Sequence, residues 1–141
     1  MKNPMYGSES YDSSALIQTL SGLAPIRLIA DTTLAVATHS AQVGSYVEVY
    51  ADAKTLTLPA VVVGASFIIV NVMDDAGALL TISPNANDKF LVDIAGAAGT
   101  DNKDVINTKA TQKKYDFVHL VGLSADGWAI HNVSGIWVDQ S

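Results

Sequence analysis

Three histidines, many serines, two acidic turns and two tryptophans are the residues with which this chain could do chemistry. His119 lies in the apolar run Tyr115–Val121 and His131 in the return run Trp128–Val133, so the two can meet across paired strands. A zinc site takes three or four protein ligands, and the spacing supplies no third to this pair. A packed or surface histidine pair is the preferred reading; His39 stands apart from both. The serines include no G-x-S-x-G elbow that would expose a nucleophile. Gly96-Ala97-Ala98-Gly99 lacks the spacing and the lysine of a phosphate-cradling loop. Asn85, Asn87 and Asp88 on one bend, and Asp74 and Asp75 on another, offer oxygens to a hard cation. The order of a calcium loop is missing, and side chains tied to nearby backbone account for these residues without a metal. Trp128 and Trp137 could stack on sugars, but their place in terminal strands favours packing. No catalytic, cofactor-binding or metal-ligating residue is assigned, and the chain is expected not to be an enzyme.

The elements that would position these residues are organised around Thr81–Phe90. An apolar run ends at Ile82, Ser83-Pro84-Asn85 stops it, and Lys89-Phe90-Leu91-Val92 opens another. Proline fixes φ and offers no ladder N–H, and Asn and Asp tolerate left-handed backbone, so this stretch reads as a corner between strands. Ser45–Ala51 alternates, with Val47 and Val49 facing one way and Tyr46, Glu48 and Tyr50 the other. Thr55-Leu56-Thr57-Leu58 alternates again. Ser66–Met73 is apolar on both faces and reads as a central strand, with Ala78–Ser83 as its hairpin partner through Asp74–Gly77. Phe90, Val92 and Ile94 alternate with their neighbours, Asp104–Gln112 has no clear period, and Asp126-Gly127 signals a hairpin. Ser134-Gly135 reads as a bulge. Eight to ten short strands punctuated by Gly, Pro, Asp and Asn point to an all-β fold, an antiparallel β-sandwich or barrel-like domain.

Composition narrows the class further. At 141 residues the chain suits one domain with a sizeable core. Apolar residues make up 49% and charged residues only 16%, a ratio that implies apolar surface shared with another chain. Eight Lys and Arg against 14 Asp and Glu leave a formal charge of −6, which argues against nucleic acid as a partner. The absence of cysteine excludes disulfides, cysteine zinc sites and thiol nucleophiles. Met1–Met5 carries no apolar signal core and Ala60–Val63 is far too short for a bilayer, so no membrane partner is expected.

Two regions follow: an N-terminal arm, 1–24, and a β domain, 25–141. The arm is small, polar and weakly charged, with Tyr6, Tyr11, Leu16, Ile17 and Leu20 as spaced anchors. Ser13–Leu20 has the cap and stop of a short helix. A segment of this kind is expected to extend from the domain and to order against a neighbour. Tyr46 and Tyr50 beside Glu48, and Trp137 near the end of the chain, are the remaining candidate contact residues.

Thr55-Leu56-Thr57-Leu58-Pro59, Gly64-Ala65-Ser66-Phe67 and Thr81–Lys89 occur in that order. Asp101–Thr108, Tyr115, Val118–Gly122, Gly127-Trp128 and Gly135-Ile136-Trp137 follow. This succession resembles small virion proteins of tailed bacteriophages, of the head-decoration or capsid-cement type, over about Thr55 to Val138. The resemblance implies a homo-oligomer, with a trimer favoured, bound to the major capsid protein on the virion's capsid surface after synthesis in the host cytoplasm. It carries no site residue with it. Related T-L-P-A and T-I-S-P runs resemble phage tail-fibre modules, which leaves a receptor-binding module contacting host glycans as the alternative.

Overall fold

The computed structural model describes residues 26–33 and 45–140. The arm and its helix signal lie outside these residues, as does His39. Alternation sets the strands wherever the chain is half-buried. In β3 (Ser45–Val49) Val47 and Val49 are buried while Tyr46 and Glu48 are only half covered. In β4 (Lys54–Thr57) Leu56 points inward between Thr55 and Thr57. β6 (Leu80–Ser83) buries Leu80 and Ile82, and β9 (Asp116–Ser124) buries every second residue from Asp116 to Gly122. The remaining strands are β1 (Ile26–Leu28), β2 (Thr32–Thr33), β5 (Ser66–Asn71), β7 (Lys89–Phe90), β8 (Val105–Asn107), β10 (Gly127–Ser134) and β11 (Val138–Asp139). The described residues are thus predominantly β.

Two mixed sheets result. The first has the order β1-β3-β5-β9-β10-β7 and the second β11-β8-β6-β4-β2. From β1 to β8 the chain changes sheet at every connection, so consecutive strands do not pair. From β3 to β6 each strand instead lies beside the one two steps earlier and runs the same way, whereas β7 pairs with β10 and β8 runs antiparallel to β6. Hence β1, β3 and β5 are parallel, as are β2, β4 and β6. This corrects the antiparallel expectation, and with it the hairpin expected from Ser66–Met73 and Ala78–Ser83. The turn is real, with Gly77 N–H donating to the Asp74 carbonyl at 2.7 Å, but it carries the chain from one sheet to the other. Alternation reports which face of a strand is buried and is silent on which strand lies beside it. The expected hairpin at Asp126-Gly127 does join β9 to β10. The corner after β6 takes the chain from the second sheet to β7 in the first. There Asp88 N–H bonds the Asn85 carbonyl at 2.8 Å, and the Asp88 carboxylate accepts Val61 N–H at 2.8 Å.

Three local expectations change. β7 stops after Phe90, and in the turn that follows Asp93 accepts Ala97 N–H at 2.7 Å. The stretch without period, Asp104–Gln112, contains β8. The bulge lies at His131, which is extra between the pairs Ile130–Leu120 and Asn132–His119. Gly135, at φ +90°, ends the strand instead.

Inner residues of both sheets form one core, among them Phe67, Ile69, Leu120 and Trp128 of the first and Leu56, Leu80 and Ile82 of the second. Each such side chain contributes about 1.5–3 kcal/mol when fully buried. At one end the core turns polar. Asn71 Nδ2 donates to Asn107 Oδ1 at 2.9 Å, and Asn107 Nδ2 donates to Asp116 Oδ2 at 2.9 Å and to the Ile136 carbonyl at 3.0 Å. All three side chains are buried, and Asp116 also accepts Lys113 N–H at 2.9 Å. A Cβ on Gly135 would overlap the Asp116 carboxyl, so a glycine is required there for space as well as for φ.

Asn107→Leu leaves the Asn71 Nδ2 only a long 3.4 Å bond to the Ala78 carbonyl, strips the Asn107 donor from the Ile136 carbonyl and removes one donor from a buried carboxylate. Each stranded buried group costs about 1–3 kcal/mol. Thermal melting should show a large loss for Asn107→Leu and for Gly135→Ala, and little change for the outward-facing Thr81→Ala. Unchanged melting in the first two would contradict the role given to this network.

Candidate functional site

The outward face of the first sheet carries a groove with apolar walls; elsewhere among the described residues Ile29, Val63, Leu123 and Ile136 are also exposed. Register places Tyr46 of β3, Ile68 of β5, His119 of β9 and Asn132 of β10 in one row. The next row holds Glu48, Val70 and Phe117. All of these except Glu48 line a groove of about 480 Å³, with Tyr115 as a further wall. Tyr115 is 61% exposed and sits at φ +71°, a left-handed conformation that a bulky side chain adopts only under constraint. The constraint is visible: Tyr115 N–H bonds the Asn71 carbonyl at 2.8 Å, and Lys114 N–H bonds Asp75 Oδ1 at 2.9 Å.

The rim on the β1 side is charged and internally paired. Tyr50 Oη donates to Glu48 Oε2 at 2.7 Å, Arg27 lies 3.5 Å from the same carboxylate, and its guanidinium stands 5.3 Å from the Tyr50 ring centre. The hydrogen bond to Glu48 is the main reason the Tyr50 hydroxyl titrates above its ordinary range. Burial, then the charge of Glu48, does the same to Tyr46. Both phenols are neutral rings at physiological pH.

His119 Nε2 lies 2.9 Å from Ser66 Oγ, and its ring meets His131 edge-on with centres 5.1 Å apart. The histidine pair expected from the strand assignment is therefore present. Burial first, and the neighbouring imidazole second, hold His119 below its ordinary pKa. A serine–histidine pair becomes nucleophilic when a third group orients the base and donors await an oxyanion. Here the third group is another imidazole, whose charge disfavours the histidinium that such a mechanism needs. The arrangement is suited to holding a largely apolar segment, with His119, Asn132 and the Tyr46 hydroxyl at hand for hydrogen bonds.

Of the sequence candidates, Tyr46 lines this groove and Tyr50 lies on its rim. Trp137 is a correction: it is 4% exposed, belongs to the core, and its indole N–H bonds the Ser134 carbonyl at 2.9 Å, so it offers no ring to a partner. Tyr6, Tyr11, Leu16, Ile17 and Leu20 lie outside the described residues. Trp128 is fully buried against Phe67, with ring centres 5.5 Å apart, and presents no face to a sugar. Ile68, Tyr115 and Phe117 were not singled out as contact residues. Their signal was available in the apolar residues on the second parity of Ser66–Met73 and Tyr115–Val121. Among the described residues no three His, Asp or Glu side chains cluster as a metal site would require. The acidic turn is committed to lysines, Asp74 to Lys114 at 2.8 Å and Asp75 to Lys113 at 3.1 Å. A smaller cleft of about 100 Å³ near Phe90 and Lys103 is closed on one side by Asp139, which accepts the Ile94 and Ala95 N–H groups.

No protein-family model matches this chain, and a search of curated proteins finds no match to it.

The lowered His119 pKa fixes a direction in pH. Below its ordinary 6.5 the unfolded chain binds a proton that the folded chain resists, so stability is full above that value and falls as pH drops through the folded value. Asp52 and Asp75 are also held low, by the Lys109 side chain and by Lys114 N–H respectively, but their contribution fades only below 3.8. Melting temperature should therefore decline between about pH 7 and about pH 5, before the carboxylates titrate. His119→Asn should flatten that decline. An unaltered slope in the variant would assign the effect to another group.

Proposed function

We propose that this chain is a structural protein of a tailed-phage virion: a head-decoration protein that binds the outside of the capsid and stabilises it. In this reading the two sheets form a β-sandwich, residues 1–24 extend from it as an arm, and the protein works as a homo-oligomer, most simply a trimer, on the major capsid protein. The observation that carries the reading is the groove of the first sheet. A chain with few charges leaves an aromatic and aliphatic face open across four strands, and such a face is a contact surface for another polypeptide. The ordered strings from Thr55 to Val138 supply the resemblance to decoration proteins. The mechanism is added buried area between subunits, multiplied by the many copies on a shell. In this reading the protein's role is binding, with His119, Asn132 and Tyr46 as polar groups in the groove.

The alternative is a tail-fibre or receptor-binding module that contacts host glycans. Both tryptophans are buried, so the sugar-stacking rings in that reading would be tyrosines, with Tyr46, Tyr50 and Tyr115 available among the described residues.

Purified protein should co-sediment in saturable, stoichiometric amounts with heads stripped of it, and raise their resistance to heat. Tyr115→Gly relieves the left-handed backbone while deleting a groove wall, so it should melt close to the parent yet bind heads several-fold more weakly, since a buried aromatic ring carries about 1–3 kcal/mol. Binding to host glycans in place of heads would favour the tail reading and overturn the first.

A further inference from the structure

We infer that the groove on the first sheet is filled by the N-terminal segment of a second copy of this chain, through the stretch Leu16–Leu23. This rests on the reading of that face as a contact surface and names its occupant. The chemistry matches: Leu16, Ile17, Leu20 and Leu23 bring four aliphatic side chains and no charge, as a groove walled by Ile68, Val70, Phe117 and Tyr115 requires.

The place where the described chain begins says which copy. β1 starts at Ile26, opposite Val47, at the edge of the first sheet. The chain therefore joins the sheet level with Tyr46, at the near row of the groove. The groove extends from that row along the direction of β3, past Val70 and Phe117 towards Tyr115. A segment running into β1 comes from the opposite direction, off the end of the sheet. Filling its own groove would demand a reversal beside the first strand; continuing straight carries the segment to a neighbour. Leu16 lies ten residues before Ile26, a stretch that reaches at most about 35 Å when extended, so the segment can meet an adjoining copy of a domain about 35 Å across. Reciprocal exchange of such segments closes a symmetric oligomer.

The chain has no cysteine, so engineered thiols report without background. Full-length Leu20→Cys protein is mixed with full-length Ile68→Cys protein and oxidised gently. A disulfide-linked heterodimer should form roughly 10-fold faster than with Thr81→Cys, which faces outward on the other sheet, because docking raises the local thiol concentration. Equal rates for the two partners overturn the proposal. A double variant, Leu20→Cys with Ile68→Cys, that links only within single molecules at high protein concentration also overturns it, in favour of the chain's own segment. As an independent measure, native mass spectrometry should find an oligomer for the parent and a monomer for Leu16→Asp/Leu20→Asp with unchanged β circular dichroism. A monomeric parent overturns the inference. Neither experiment involves capsids, so cross-linking without head binding would fault the virion reading alone.

Discussion

Asn107 is the residue on which the arrangement of both faces of the first sheet depends. It belongs to the second sheet, yet its amide accepts from Asn71 and donates to Asp116, a registered pair on β5 and β9. One residue along each of those strands lie Val70 and Phe117, paired in turn, with side chains on the opposite face in the groove. Tyr115 is bound through its N–H to the Asn71 carbonyl. A buried polar chain between the sheets thus sets the spacing and level of the outer apolar rows. Its members are satisfied by one another and by backbone, the condition under which buried polar groups specify one arrangement.

The alternation of the chain between sheets explains the rest of the site. Because β1, β3 and β5 are parallel neighbours, their first residues lie at one end of the sheet, and the groove opens from that end. Antiparallel β9 then brings its histidine back to the row begun by Tyr46, and the bulge at His131 turns a second imidazole towards it. The rim of Arg27, Glu48 and Tyr50 is paired within itself, beside the apolar rows.

Much of this was legible in the residues. Val47 and Val49 against Tyr46 and Glu48 reads directly as inner and outer, Asp126-Gly127 reads as a hairpin, and the corner at Thr81–Phe90 is where the chain turns. Strand partnership was not legible. Residues such as Asp74–Gly77 make the same tight turn whether the next strand pairs with the last or crosses to the other sheet. β8 escaped detection because its three residues include a buried asparagine, whose reason is a hydrogen-bond network assembled from distant strands. The site was half visible. Tyr46 and Tyr50 stood out as aromatic residues on an outer parity, whereas Phe117 and Ile68 looked like core. Trp137 looked like a contact residue and is core, because its indole N–H finds a backbone carbonyl three residues earlier.

In the proposed function the outer face of β3, β5, β9 and β10 is covered by another polypeptide in the assembled particle. A cryo-electron microscopy map of the virion at side-chain resolution tests it most directly. It should place this chain on the outside of the head, with protein density from a neighbouring chain over Tyr46, Ile68 and Phe117. A map in which that face looks onto solvent, or in which the chain is found only at the tail, would contradict it.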